Sequence, residues 1–148
     1  MNHNLLHLTS YRTWPERCSA LQVRAVLGKG RGVFALVPFE PEEIIEVAPV
    51  LLAPGTRRDR FMATVLRDYT FRWDDATGDI AFCLGFGSLY NHSFAPNARY
   101  VKQSSPQAIR FIARTPITPG DEITVNYNGS PDDGSPVWFD PLAEHRPR

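Results

Sequence analysis

Short runs of alternating apolar and polar residues, broken every few positions, set the pattern of this chain. Leu21-Gln22-Val23-Arg24-Ala25 alternates, Gly28-Lys29-Gly30-Arg31-Gly32 interrupts it, and Val33-Phe34-Ala35 resumes. Period-2 alternation on both sides of a glycine break predicts two strands and a tight hairpin. Ile44 to Leu52 is a second β-rich block, which Pro49 is expected to divide because proline lacks a ladder donor. Tyr69-Thr70-Phe71-Arg72-Trp73 alternates aromatics. Asp74-Asp75-Ala76-Thr77-Gly78-Asp79 then turns the chain into Ile80 to Leu84, which predicts another hairpin. Arg99 to Val101, Gln107 to Ala113 and Glu122 to Tyr127 read as further strands. One helix is expected, from a cap at Thr56 or Asp59 to Asp68, because Phe61, Met62, Val65 and Leu66 share helical spacing.

The pattern also repeats. Ala35-Leu36-Val37-Pro38-Phe39-Glu40-Pro41-Glu42-Glu43-Ile44-Ile45-Glu46-Val47 aligns with Ala113-Arg114-Thr115-Pro116-Ile117-Thr118-Pro119-Gly120-Asp121-Glu122-Ile123-Thr124-Val125. The alanine, both prolines, one isoleucine and the final valine coincide, with acidic residues before each second strand. Two copies are too few for a solenoid. They suggest two related β-units in one small fold, against the alternative of chance similarity between two turns.

Composition narrows the class. Thirteen prolines and ten glycines in 148 residues disfavour long helices. That length suits one domain with its own core. Sixteen acidic side chains balance sixteen basic ones, so no global charge draws the chain to nucleic acid or membrane. Arg57, Arg58 and Arg60 form a local basic patch of the kind usually found on a solvated helix face. Cys83 lies in an apolar run and reads as a buried thiol; Cys18 is undecided. Neither spacing suits zinc, and the usage fits a reducing, intracellular setting. The N-terminus lacks a signal-peptide pattern. The proline-rich end carries Trp138 and Phe139, which are expected to dock on the body.

Three stretches carry candidate chemistry. In Gly28-Lys29-Gly30-Arg31-Gly32, alternate glycines allow close backbone approach to a ligand, but a strand rather than a helix follows, so no dinucleotide fingerprint is present. In Leu89-Tyr90-Asn91-His92-Ser93-Phe94-Ala95-Pro96-Asn97, Asn91 and a neutral His92 each donate and accept, which suits a purine edge. The alternative is a pair that satisfies loop backbone. Ser93 has no nucleophile elbow. In Gly120-Asp121-Glu122-Ile123-Thr124-Val125-Asn126-Tyr127, Tyr127 ends an apolar strand face. It is either a core aromatic or an oriented hydroxyl at a reaction centre. Asp121-Glu122 reads as a solvated turn.

In order and spacing, these stretches resemble the three sequence motifs of the SET-domain protein lysine methyltransferases, over about Leu21 to Tyr127. The resemblance implies a mainly β fold of several small sheets, β-clip-like, with a C-terminal pseudoknot and one or two short helices. It implies residues 1–20 as an N-terminal extension, 21–128 as the SET domain, and 129–148 as a tail completing the substrate channel. S-adenosylmethionine is the implied cofactor, lined by Lys29, Gly30, Arg31, Asn91, His92 and Tyr127, with no metal. Tyr127 and Tyr100 are the implied catalytic pair. Tyr69, Phe71, Val125, Trp138 and Phe139 are the implied substrate walls; Val125 is small, and Tyr100 would fill the gap it leaves and restrict the product to low methylation. The implied partner is a lysine-bearing protein such as a histone, attracted by Asp74, Asp75, Asp79, Asp132 and Asp133 unless these only solvate turns. A homodimer is also compatible, since one short chain offers limited walls for a peptide. The competing class is a non-catalytic module that keeps the fold and binds the cofactor.

Overall fold

A computed structural model describes residues 20–139. Nine strands dominate: β1 Leu21–Val26, β2 Gly30–Ala35, β3 Ile44–Ala53, β4 Thr70–Asp74, β5 Asp79–Cys83, β6 Asn91–His92, β7 Ala98–Ser104, β8 Gln107–Ala113 and β9 Glu122–Val125. They form two sheets, ordered β1-β2-β9-β6 and β4-β5-β3-β8-β7. Cys18 lies outside the described residues. Among those described, no helix is long and apolar enough to cross a membrane.

The repeat read in the sequence is built into this architecture. Ala35 N donates to Asp121 O (3.0 Å), and its counterpart Ala113 N donates to Glu43 O (2.9 Å). Gly120 N donates to Ala35 O and Glu42 N to Ala113 O, both at 2.8 Å. On the axis between the copies, Phe39 and Ile117 exchange two backbone bonds of 2.9 Å. The acidic step has one structural task in both: the Glu43 carboxylate accepts from Glu40 N, and that of Asp121 from Thr118 N. Each copy lends its second strand to the other, so β9 pairs with β2 and β3 with β8. The matched residues Ala35 and Ala113, Phe39 and Ile117, and Ile45 and Ile123 all lie in the shared core.

Two expectations fail. Pro49 does not divide its block; β3 runs through it. Pairing passes there from β8, which ends at Pro49, to β5, which begins at Val50, so the missing N–H leaves no partner stranded. The Pro49 carbonyl still accepts from Leu84 N (2.9 Å). The single helix to Asp68 is instead a 3-10 turn at Gly55–Arg57, a short helix α1 at Arg58–Met62, and a second 3-10 turn at Val65–Tyr69. Neither Thr56 nor Asp59 caps it. Thr64 interrupts it: its hydroxyl donates to Phe61 O (2.8 Å) and accepts from Leu66 N (3.2 Å). Such local side-chain bonds compete with the helix ladder.

Candidate active site

The two-residue strand β6 lies parallel to β9, with Asn91 beside Thr124 and His92 beside Val125. Ser93 N extends the bridge to Val125 O (3.0 Å). This pairing carries His92 to the residue that follows the strand: Tyr127 N–H donates to His92 Nδ1 (3.1 Å). A ring nitrogen that accepts carries no proton, so the imidazole is neutral with its proton on Nε2. The Tyr127 hydroxyl donates to the Tyr90 carbonyl (2.8 Å). Burial first, then the Glu122 carboxylate, push this phenol up to about 12. Tyr127 is therefore neutral near pH 7, with its proton engaged and its oxygen lone pairs left to accept.

Asn91 turns its amide nitrogen inward. Its Nδ2 donates to the Arg31 carbonyl (3.1 Å) and to Glu122 Oε1 (2.6 Å), which uses both N–H groups. The amide thus straps the Lys29-Gly30-Arg31 turn to β9. Gly32 is required for this approach, since a Cβ there would lie 2.5 Å from Glu122 Oε1 and 2.8 Å from Asn91 Nδ2. Lys29 Nζ adds a 3.7 Å ion pair to Glu122 Oε2. Of the acidic pair read as a solvated turn, Asp121 fits that reading, and bonds from Thr118 hold its carboxyl below the usual range. Glu122 does not fit it. It faces inward beneath Asn91, and only the long-range pairing of β6 reveals that.

Beyond Tyr127 opens a cavity of about 590 Å³, bordered by Tyr69, Phe71, Tyr90, Tyr100, Tyr127 and Trp138. Phe71 meets Tyr100 edge-on at 5.2 Å, and the Tyr100 phenol is raised by burial, partly offset by Arg72. Trp138 stacks on Tyr127 at 5.8 Å and 18°. Phe139 packs against His92 (5.8 Å) and Tyr127 (6.0 Å), outside the cavity lining. The sequence expectation that this pair docks on the body agrees with these contacts. What holds it was not foreseen: buried Asn126 donates to the Asp133 carbonyl (2.7 Å), Arg114 binds Asp132 (2.8 Å), and Asn128 donates to the Ser135 carbonyl (2.6 Å).

Val125 does not line the cavity; it is fully buried in the core, because β9 turns that face inward. Most of the acidic residues have partners within the chain. Asp74 closes the β4–β5 turn, Asp79 accepts from Gly55 N, Asp132 binds Arg114, and Asp133 accepts from Ser135 N. Asp75 does border the cavity, but so do Asp68 and four cations, Arg58, Arg67, Arg72 and Lys102. The rim is of mixed sign. Cys83 is buried as expected, and burial, then Glu46, push its thiol up to about 12.

Asn91 thus joins the glycine turn to β9, His92 joins β6 to Tyr127, and Tyr127 borders the aromatic cavity. Residues 30–128 match the SET domain family. The chain belongs to the SET-domain protein lysine methyltransferases. This SET domain is 32% identical over 131 residues to the Schizosaccharomyces pombe histone-lysine N-methyltransferase specific for H3 lysine-37, covering 88% of this chain and 84% of that protein. It is 34% identical over 127 residues to the Drosophila melanogaster histone-lysine N-methyltransferase Set8, covering 76% of this chain but 18% of that much longer protein. A crystal structure of a Plasmodium falciparum protein described as a histone methyltransferase superposes with a TM-score of 0.58 at 27% identity, covering 75% of this chain and 95% of that one.

Proposed function

We propose that this SET domain is an S-adenosylmethionine-dependent protein-lysine N-methyltransferase acting on a histone-type tail, the substrate class named for its relatives. The observation that carries the reading is the neutral Tyr127 hydroxyl, anchored to the Tyr90 carbonyl at the wall of an aromatic cavity of lysine-accommodating size. Residues 21–128 form the catalytic body in this reading, and the tail from 129 to 139 completes the channel; 1–19 and 140–148 lie outside the described residues. The features that support the cofactor are the chain's own: a glycine turn fixed to β9 by Asn91, beside the carboxylate of Glu122. Lys29, Gly30, Arg31, Asn91, His92 and Tyr127 are assigned to it, with contact through backbone and the atoms not engaged internally. When bound, the cofactor supplies an electrophilic methyl group on a cationic sulfonium.

The residues perform the rest. A lysine side chain, with a reference pKa of about 10.4, must lose its proton to bulk water before it attacks. Tyr69, Phe71, Tyr100 and Trp138 strip water from the amine, which disfavours the ammonium form. Tyr127 accepts a hydrogen bond from the amine and aligns its lone pair. A phenol pushed to about 12 has no free phenolate to act as base, and His92 Nδ1 is occupied by Tyr127 N–H. Tyr100 narrows the channel: its hydroxyl lies near Gly129, where an added Cβ would stand 3.7 Å away. That favours low methylation states.

Transfer from labelled S-adenosylmethionine to a histone mixture and a lysine peptide array tests the function. Methylated lysine is the expected result. Cofactor binding by calorimetry without transfer to any substrate would instead support the non-catalytic module. Accumulation of trimethyl-lysine in a mass-spectrometry time course would overturn the role given to Tyr100.

A further inference from the structure

The Tyr127 hydroxyl is aimed by a backbone carbonyl, so its direction depends on what holds that carbonyl. Tyr90, which carries it, is 2% exposed, and its ring lies 4.5 Å from that of Phe111. Its own hydroxyl donates to Glu46 Oε2 (2.9 Å). The other oxygen, Glu46 Oε1, accepts from Phe86 N (2.9 Å). Phe86 and Tyr90 flank the 3-10 turn Gly87–Leu89. One carboxylate therefore ties both ends of the segment that presents the carbonyl. Glu46 is 4% exposed near the start of β3. A buried carboxylate is weakly explained by stability, because an apolar residue there would avoid its desolvation. It is well explained by geometry, since it sets two donors at a fixed separation.

We propose that Glu46 is a positioning residue for methyl transfer, fixing the Tyr90 carbonyl and through it the lone pairs of Tyr127. The inference rests on the function proposed above. In Tyr90→Phe and Glu46→Leu the tie is cut, and kcat is expected to fall about ten- to a hundredfold. The KM for peptide and the calorimetric Kd for S-adenosylmethionine stay near wild type. Glu46→Gln retains the tie, its carbonyl accepting from Phe86 N and its amide donating to the Tyr90 oxygen, and is expected to recover most of the rate. Ile109→Val, a core truncation with no part in these bonds, controls for stability.

A second readout does not need turnover. In protein carrying 13C-labelled tyrosine rings, the Tyr127 signal, assigned by its loss in Tyr127→Phe, is expected to move in Tyr90→Phe and far less in Glu46→Gln. An unmoved signal, or kcat that merely tracks melting temperature as in Ile109→Val, overturns the proposal. A wild-type chain that binds no cofactor and methylates nothing overturns the function, while the ring signal still decides whether Glu46 sets Tyr127.

Discussion

The two β-units share a backbone plan and diverge at one edge. In the first, the strand after the acidic turn, β3, continues for ten residues and takes the β4–β5 hairpin on its free side. In the second, the matching strand β9 is four residues long and takes only Asn91-His92. The long strand gives a sheet edge closed by regular pairing. The short one releases the chain at Asn126, so that Tyr127 swings into a cavity and the tail folds back over it. A repeated scaffold thus provides one copy that braces a sheet and one that opens onto the cavity. The difference lies in how soon the strand stops.

The largest effects should come from striking both copies at the same place. Ile45 and Ile123 are matched and fully buried. Truncation of either to alanine is expected to cost about 2–5 kcal/mol, read from urea midpoints. At concentrations of denaturant where both variants remain folded, Ile123→Ala should weaken cofactor binding and Ile45→Ala should not. Equal losses of binding would show that the copies are not functionally distinct.

Tyr127→Phe isolates the reactive edge. Its bond to Tyr90 is lost and kcat is expected to fall about a hundredfold, with little change in melting temperature. Undiminished transfer would remove Tyr127 from the chemistry.

Alkaline titration probes both edges together. Cys83 beside β3 and Tyr127 beyond β9 are each raised, from 9.0 and 10.0, to about 12. The folded chain therefore holds these protons where the unfolded chain has released them. Their contribution to stability is complete below about pH 9 and is lost as pH rises toward 12. Urea midpoints should fall across that window, and Cys83→Ala should move the onset upward. A flat profile would contradict the burial of both groups.

The smallest effect concerns the turns. Gly120 has φ +98°, and its counterpart Glu42 has φ +68°. Gly120→Ala is expected to cost about 1–2 kcal/mol, since its added Cβ meets nothing and only the backbone is strained. Glu42→Gly relieves the same strain but loses the 2.6 Å contact with Arg99 and gains unfolded-chain entropy, for a net change of about 0.5 kcal/mol or less. A large destabilisation by Glu42→Gly would mean that the Arg99 pair, rather than the backbone, sets that corner.

Much of this was legible in the chain because it is local. Alternation found both hairpins, and paired prolines found the repeated unit, since a turn closed by its own acidic side chain needs only neighbours in sequence. The three motifs located the glycine turn, the Asn-His bridge and Tyr127. What was not legible depends on partners far along the chain. Pro49 is tolerated because β3 exchanges one neighbour for another at that residue. Asn91 is occupied because β6 meets β9 and brings Glu122 beneath it. Val125 faces the core and not the channel for the same reason. Glu46 resembles the acidic residues of a turn until Tyr90, distant in sequence, is packed on it. Thr64 is the one local failure, where a hydroxyl outcompeted helical spacing.

The bridge between β6 and β9 has a consequence for motion. A pairing of two residues at a sheet edge resists opening far less than the longer strand pairings, so it belongs to the part of the molecule that opens below the cost of global unfolding. The amides of Ser93 and Tyr127, bonded to Val125 O and His92 Nδ1, report that opening through hydrogen exchange. A ligand touching both the glycine turn and the Asn-His segment holds the bridge shut by mass action. Its affinity and the slowing of these two amides are then one quantity, seen once from the ligand and once from the protein.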